Sequence, residues 1–352
     1  MSTSMRAQRG VSLIELMIAM TLGAIVTAGV IQLFVSNNQT YNILIGQSRL
    51  QESARFAMEF IGRAAYGAGQ VGCGPEEIES SMVAALPDMP EFNLVIPVEG
   101  YEGNEGGGWT PSLNALPRSV SNRAHFDDNE IDVDTVVAGT DVLVLRQARA
   151  PGSKVAQLAA ANAAPVIFDS GDTGIDAGDV VVIADCEMAS VFKVDTLTTV
   201  AGQTTLNVAT GTDVFDNAAP FSISSTGPYS SEAIVAPIDT TYFFVAPGTG
   251  TNNRGDTPLA LWRKLGDGPP VEMIEGVEDL QLLFGIDTTG DGAANRYMTP
   301  DLVGFNDTTA SETVSVRVSL TVNSVNAVVN DGDGLIRRTF SQTFLFRNMT
   351  PE

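Results

Sequence analysis

Residues 9–35 have the sequence RGVSLIELMIAMTLGAIVTAGVIQLFV, and this stretch decides the fold. Residues 11–35 contain a single ionisable side chain, Glu15. As an α-helix, a segment of this length rises about 37 Å, which is enough to cross a hydrocarbon core of about 30 Å. The sequence therefore predicts that residues 11–35 span a membrane.

Charges on either side of this segment predict its orientation. Arg6 and Arg9 precede it, and the polar run Ser36-Asn37-Asn38-Gln39 follows it. By the positive-inside rule, the N-terminus stays cytoplasmic and the bulk of the chain is exported. A secretory signal peptide also has a basic start and an apolar run, and residues 26–28, VTA, are a loose cleavage site for that alternative.

Helical periodicity continues well beyond the apolar run. Apolar residues recur at steps of three and four at Leu50, Ala54, Ala57, Met58, Ile61 and Ala65. Proline is absent before Pro75, and Gly67-Ala68-Gly69 is a natural helix end. We therefore expect one helix of about 84 Å over residues 11–66. Its first half, residues 11–35, spans the membrane, and its amphipathic half, residues 36–67, packs on a globular domain.

The remainder of the chain, residues 68–352, is rich in β-strand signals. Short runs of β-branched and aromatic residues alternate with turn residues and predict strands over residues 141–147, 180–183, 191–200, 204–210, 240–245, 259–264, 280–286, 313–325 and 339–346. Several runs alternate strictly, as in VSVRVSL at residues 314–320. Such alternation predicts a sheet with one buried and one wet face. The predicted fold class is α+β: a long N-terminal helix packed on an antiparallel β-sheet, with an additional β-rich lobe over residues 76–235.

Composition argues against nucleic-acid binding and against catalysis. The chain has 19 Lys and Arg against 42 Asp and Glu, a formal net charge of −23, so its surface repels phosphate backbones. One histidine, His125, and two cysteines are too few for a tetrahedral His/Cys zinc site. We therefore expect a protein that is not an enzyme, in which Trp109 and Trp262 are packing or interface residues.

Glu15 is the anomaly in the apolar helix. A carboxylate at the centre of a spanning helix costs about 2.5–3.5 kcal/mol on insertion scales. Glu15 either lies near the headgroups, where it complements the N-terminal helix dipole, or has a partner. The surrounding residues, Arg9-Gly10 followed by VSLIEL at 11–16, resemble the leader of type IV prepilins, with Val11 in place of the commoner Phe.

The resemblance implies a role for each of these positions. Prepilin peptidase would cut after Gly10, so that residues 1–10 are a cleaved leader. Val11 would become an N-methylated amino terminus. Glu15 would pair with the amine of Val11 on a neighbouring subunit and so set the register of assembly.

Further segments resemble the PilW-type minor pilins of type IV pili. They are QESARFAM at residues 51–58, AGQVGC at 68–73, Asp185-Cys186, and the terminal segment 277–348. The resemblance implies a minor pilin that helps to initiate or cap a type IV pilus, in adhesion and twitching motility. Its partners would be other minor pilins, the major pilin, inner-membrane lipid and a pilus-tip adhesin, and its final location the pilus tip.

Two other functions remain open. A pseudopilin of a type II secretion system shares the leader, although such proteins are typically much shorter. A membrane-tethered periplasmic binding module would carry a spanning helix without processing after Gly10.

The predicted topology places both cysteines outside the cytoplasm. Cys73 and Cys186 would form a disulfide in an oxidising periplasm, and the alternative is two buried free thiols.

We expect no cofactor, although one carboxylate loop partly matches a calcium site. Asp287, Thr289, Asp291 and Asn295 place oxygens at near-alternate positions around glycines, as in calcium loops. The pattern lacks the glutamate of an EF-hand, and ordinary turn chemistry is the alternative.

Overall fold

The computed structural model of the protein describes residues 12–72, 77–80, 82, 90–111, 135–157, 165–168, 173–212, 216–218, 229, 232–266, 268–305, 312–329 and 332–349. Within these ranges there are a long helix, a short helix, a 3-10 turn and a set of strands. They are α1 (Leu13–Gly67), β1 (Glu77–Ser80), a 3-10 turn (Pro90–Phe92), β2 (Val98–Gly103), β3 (Trp109–Thr110), β4 (Val142–Ala148), β5 (Ser153–Gln157), β6 (Val166–Phe168), β7 (Val180–Ala184), β8 (Met188–Lys193), β9 (Thr196–Val200), β10 (Gln203–Asn207), β11 (Ile234–Pro247), β12 (Leu259–Leu265), β13 (Val271–Glu275), β14 (Val277–Ile286), β15 (Arg296–Met298), α2 (Pro300–Val303), β16 (Thr313–Asn323) and β17 (Arg337–Leu345).

Helix α1 is continuous, as the sequence predicts. Its apolar stripe is buried at every predicted position, namely Leu50, Ala54, Ala57, Met58, Ile61 and Ala65, and Gly46 extends it by one turn. The stripe belongs to the main hydrophobic core, together with β4, β11 and the C-terminal strands. The long helix and β-rich head confirm the predicted α+β class.

A four-stranded antiparallel sheet packs on the second half of α1. Its strand order is β15-β14-β16-β17. Alternate residues of β16 point into the core: Val314, Val316, Val318, Leu320 and Val322. On the opposite, solvated face, Ser319 and Ser341 share a hydrogen bond of 2.7 Å, and Thr321 and Thr339 share one of 3.0 Å. The predicted division into one buried and one wet face is confirmed.

Strand β11 connects this region to the additional lobe. Its first residues pair with β5 and β7, and its later residues pair with β4 and β12. The lobe has the strand order β1-β8-β7-β11-β5-β6-β10-β9. β7 is fully buried along its length because one hydrophobic cluster covers each of its faces. The lobe contains one parallel pair of strands, β1 and β8. These strands are far apart in the chain, so no hairpin constrains their direction.

Candidate functional site: the N-terminal helix and its flanks

The first half of α1 projects from the head as an uncovered apolar surface. Every residue from Ser12 to Asn42 is exposed, including Leu13, Ile25 and Phe34. α1 is the one helix in the described ranges that is long and apolar enough to cross a membrane. Such an apolar surface is unstable in water, so this half requires lipid or other apolar helices around it.

Glu15 lies in a capping box at the start of α1. The Ser12 hydroxyl accepts a hydrogen bond from the Glu15 backbone N–H (3.3 Å), and the Glu15 carboxylate accepts one from the Ser12 backbone N–H (3.2 Å). The carboxylate therefore lies in the first turn, where it complements the helix dipole. Gly10 and Val11 lie outside the described residues, so cleavage, methylation and pairing with Glu15 stay predictions.

The second half of α1 carries partly exposed aromatic residues outside its buried stripe. Phe56, Phe60 and Tyr66 are 37%, 38% and 57% exposed. The Arg55 guanidinium lies 5.4 Å from the centre of the Phe56 ring, a distance at which a cation and an aromatic face attract each other. These side chains are therefore available for contact with another helix.

A cleft runs between α1 and β17. It has a volume of about 730 Å³ and is lined by Gln51, Ala54, Arg55, Met58, Glu59, Gly62, Arg63, Tyr66, Phe340, Ser341, Gln342 and Phe344. We call it the β17 cleft. A methyl group on Gly62 would lie 2.6 Å from the Phe344 ring, so the close approach of helix and strand depends on glycine. No sequence motif marks this cleft, and its one signal is that residues 335–349 hold three arginines and no acid in a strongly acidic chain.

The end of α1 is held by hydrogen bonds to the rest of the head. The Arg146 carbonyl accepts from the Gly69 N–H (2.9 Å), and the Ala68 carbonyl accepts from the Asn348 side chain (3.1 Å). Gly72 then lies against the β7–β8 hairpin, because a Cβ added there would be 3.2 Å from the Ala184 Cβ.

Cys186 is exposed in that same hairpin. The Asp185 carboxylate orders the turn by accepting from the N–H groups of Glu187 (2.9 Å) and Met188 (3.0 Å). No described cysteine is free. Cys73 lies outside the described residues, so its pairing with Cys186 stays a prediction.

The proposed calcium loop has an internal hydrogen-bond network. The Asp287 carboxylate accepts from the N–H groups of Thr289 (2.9 Å), Gly290 (2.8 Å) and Gly292 (2.6 Å). Burial opposes ionisation of Asp287, but these hydrogen bonds outweigh it and hold its pKa below the usual value. Asn295 donates to Thr289 (3.1 Å), whereas Asp291 instead accepts from Ala293 N–H (3.0 Å).

Hydrogen bonds within the turn therefore explain why an aspartate occupies position 287. In the described ranges, no group of three or more His, Cys, Asp or Glu side chains is arranged to hold a metal. Calcium binding by these residues stays a prediction.

The two tryptophans pack on one hydrophobic cluster. Trp109 and Trp262 both lie against the cluster that contains Tyr101, Tyr242 and Phe244. Trp109 also donates from its indole N–H to the Thr140 carbonyl (2.8 Å). Both residues therefore have a packing role. His125 lies outside the described residues.

Comparisons with known proteins match both ends of the chain. Residues 5–31 match the model of the prokaryotic N-terminal methylation motif, and residues 243–348 match that of type IV pilus-assembly protein W. No curated protein and no solved structure matches the chain. The two matches confirm the resemblance to PilW-like type IV pilins.

Proposed function

We propose that this chain is a minor pilin that helps to initiate or cap a type IV pilus, and that it acts in adhesion and twitching motility. The proposal rests on the combination of a methylation motif with a helix whose apolar first half is exposed and whose second half packs on the β-rich head. Pilin domains are structural, so we assign the chain no enzymatic activity.

The proposed path of the chain follows its helix. The protein inserts into the inner membrane with its N-terminus in the cytoplasm and its head in the periplasm. Prepilin peptidase removes residues 1–10, and Val11 is methylated. The bare half of α1 then leaves lipid for a bundle of similar helices that includes other minor pilins and the major pilin. Inside that bundle the Glu15 carboxylate needs a counter-charge, which the Val11 amine of a neighbour supplies.

Substitution at Gly10 tests the processing step. The peptidase must admit a small residue before the cut, so Gly10→Leu is expected to leave full-length precursor in the membrane, while Gly10→Ala is at least partly processed. Intact-mass measurement distinguishes the two chains. Processing of Gly10→Leu at the wild-type level, or a wild-type chain that stays uncut, would reject the minor-pilin function. A type II pseudopilin would be processed too, but its deletion would abolish secretion and spare pili.

A further inference from the structure

Strand β17 presents an open, basic edge beside α1. Among the described strands it pairs with β16 alone. Of its two arginines, Arg337 is held by Glu278 (2.6 Å) and by Asp333, whereas Arg338 is exposed and forms no ion pair within the described residues. Arg55 extends this charge along the β17 cleft, whereas Arg63 is paired with Glu59, the one acidic lining residue (2.5 Å). Unpaired backbone groups next to positive charge favour an extended, acidic partner.

Strand β13 presents an open, acidic edge. Among the described strands it pairs with β12 alone, and its sequence, VEMIE, contains two glutamates and no basic residue. Val271 is 50% exposed, and Glu275 is exposed and has no hydrogen bond in the described ranges. A groove of about 400 Å³ separates β13 from α1, and its lining includes Arg49, Glu52, Phe56, Met273 and Glu275. We call it the β13 groove.

The two edges lie on opposite flanks of the same helix. At 3.6 residues per turn, Arg55, Glu59 and Gly62 lie on one side of the buried stripe, and the residues of the β13 groove lie on the other. The edges also lie at a similar height along α1. Val322 of β16 pairs with Arg338 on one side and with Val277, two residues after Glu275, on the other.

We propose that two copies of this chain associate side by side, with the β17 edge of one against the β13 edge of the other. The inference rests on the proposed function, since assembly of parallel α1 helices sets the heads next to each other at similar heights. Arg338 and Arg55 of one copy then face Glu275 of its neighbour. Val271 and Met273 of that neighbour contact the side of the cleft that Phe340 and Phe344 form. The contact joins two different surfaces, so each pair of copies still has one free β17 edge and one free β13 edge. A further copy can therefore bind in the same way.

This property bears on the proposed role. A repeating contact lets one copy recruit the next, as the start of a filament requires. The contact therefore favours initiation over capping.

Charge reversal tests the contact in the mature chain, which lacks residues 1–10, in detergent. Two copies with different epitope tags are co-expressed, and the fraction that co-purifies is measured at low salt and at 0.5 M NaCl. Arg338→Glu in both copies, or Glu275→Arg in both copies, is expected to reduce co-purification at least about tenfold, because like charges then meet. Salt is expected to weaken the wild-type pair, since screening acts on exposed charges.

A mixed experiment tests whether each variant keeps one working edge. One copy carries Arg338→Glu and the other carries Glu275→Arg. The unchanged Arg338 edge of the second copy then meets the unchanged Glu275 edge of the first, and the two reversed edges also carry opposite charges. Co-purification is expected to return to within about threefold of the wild-type level. The matched control is Arg296→Glu on β15, the opposite edge of the same sheet, and we expect it to associate like wild type.

The possible results separate the contact from the pilin function. A wild-type chain that does not self-associate, single reversals that associate normally, a mixed pair that fails to recover, or an equal loss in Arg296→Glu would each overturn the contact. Arg55→Glu provides a second β17-side variant if Arg338→Glu lowers the thermal stability. If the chain is cut after Gly10 and enters filaments but fails these tests, the contact is rejected and the proposed function stands. If the chain passes these tests but is not cut after Gly10 in cells, the proposed function is rejected.

Discussion

At the scale of single residues, Glu15 has two separable properties. Its shape and acceptor oxygens complete the capping box with Ser12, and its charge is available to a neighbouring amine. Glutamine at the same position preserves the capping box, because its side-chain carbonyl also accepts from the Ser12 N–H, but it carries no charge. The Glu/Gln pair therefore distinguishes a local cap from a counter-charge for the neighbour.

We predict that Glu15→Gln and Glu15→Ala both insert into the membrane and are cut after Gly10. Removal of a charge from the apolar run makes insertion easier. Both variants are expected to lose at least about tenfold in filament incorporation, because the Val11 amine of the neighbour would be left unpaired in an apolar bundle. Immunoblots of sheared filaments against total membranes measure this loss. Normal incorporation of Glu15→Gln would show that capping alone is the role of Glu15.

Asp141 is a buried carboxyl group that joins two parts of the head. It is fully buried, and its two oxygens accept from the N–H groups of Gly103 (2.9 Å) and Leu282 (2.7 Å). Burial raises the pKa of Asp141 to about 7, with the nearby carboxylates of Glu102 and Asp279 adding to the shift and the two N–H groups opposing it. Asp141 could not be predicted as a buried residue, because nothing in the local sequence marks an aspartate that will be buried between strands.

This pKa predicts a pH-dependent stability. Between about pH 4 and pH 7 the folded chain keeps a proton that the unfolded chain releases, so the free energy of unfolding falls as pH rises through this window. Asp141→Asn has no such titration, and it leaves one N–H group without an acceptor. In urea unfolding, the destabilisation of Asp141→Asn relative to wild type is expected to be about 3 kcal/mol larger at pH 5 than at pH 8. Equal destabilisation at both pH values would contradict the assignment.

At the scale of elements, the long helix was predictable because its signals are local and repeated. The predicted range, residues 11–66, compares with the observed Leu13–Gly67. Gly46 was missed because a glycine adds nothing to an apolar pattern, yet it is buried beside Val328. The division of α1 into a bare and a packed half also followed from the sequence, since only the second half combines its apolar stripe with a polar face.

Two isoleucines of α1 provide a matched test of that division. Ile61 is fully buried in the main core, whereas Ile25 is 68% exposed in the bare half. Ile61→Ala is expected to lower the free energy of unfolding of the head by about 2–5 kcal/mol, because it removes buried methyl groups and leaves a cavity. Ile25→Ala is expected to leave it unchanged. Urea titration followed by tryptophan fluorescence measures both, and a similar effect of the two variants would contradict the division.

The strands were predicted less well, and particular residues show why. The predicted strand over residues 191–200 is two strands, β8 and β9, separated at Val194-Asp195. Val194 is buried and apolar, so the break is invisible to a hydrophobic pattern. The strands that were not predicted are short or contain Glu and Gly; they are β1, β2, β3, β5, β6, β13 and β15. Their pairing is decided by long-range partners that a local window does not contain.

At the scale of the whole molecule, the β7–β8 hairpin lies where the chain leaves α1. Gly72 contacts Ala184, and Cys186 follows two residues later in the turn. A Cys73–Cys186 disulfide would tie the helix end to the lobe. The loop that it closes is long, about 113 residues, so the loop-entropy model gives it a stabilisation of up to about 4–5 kcal/mol.

We predict that the unreduced, denatured protein resists alkylation and that reduction makes both thiols alkylatable, as intact mass will show. Cys186→Ser is expected to lower the unfolding free energy by a similar amount to reduction, since its exposed side chain contributes little packing. Two alkylatable thiols without reductant would contradict the disulfide.

The central claim is that this chain assembles into a pilus through a processed N-terminal helix. The measurement that tests it most directly is mass spectrometry of the N-terminal peptide of this chain, recovered from sheared filaments. The account predicts a peptide that begins at Val11 and carries one additional methyl group, at low abundance relative to the major subunit. A chain that is absent from filaments, or that begins at Met1 or beyond residue 35, would contradict the account.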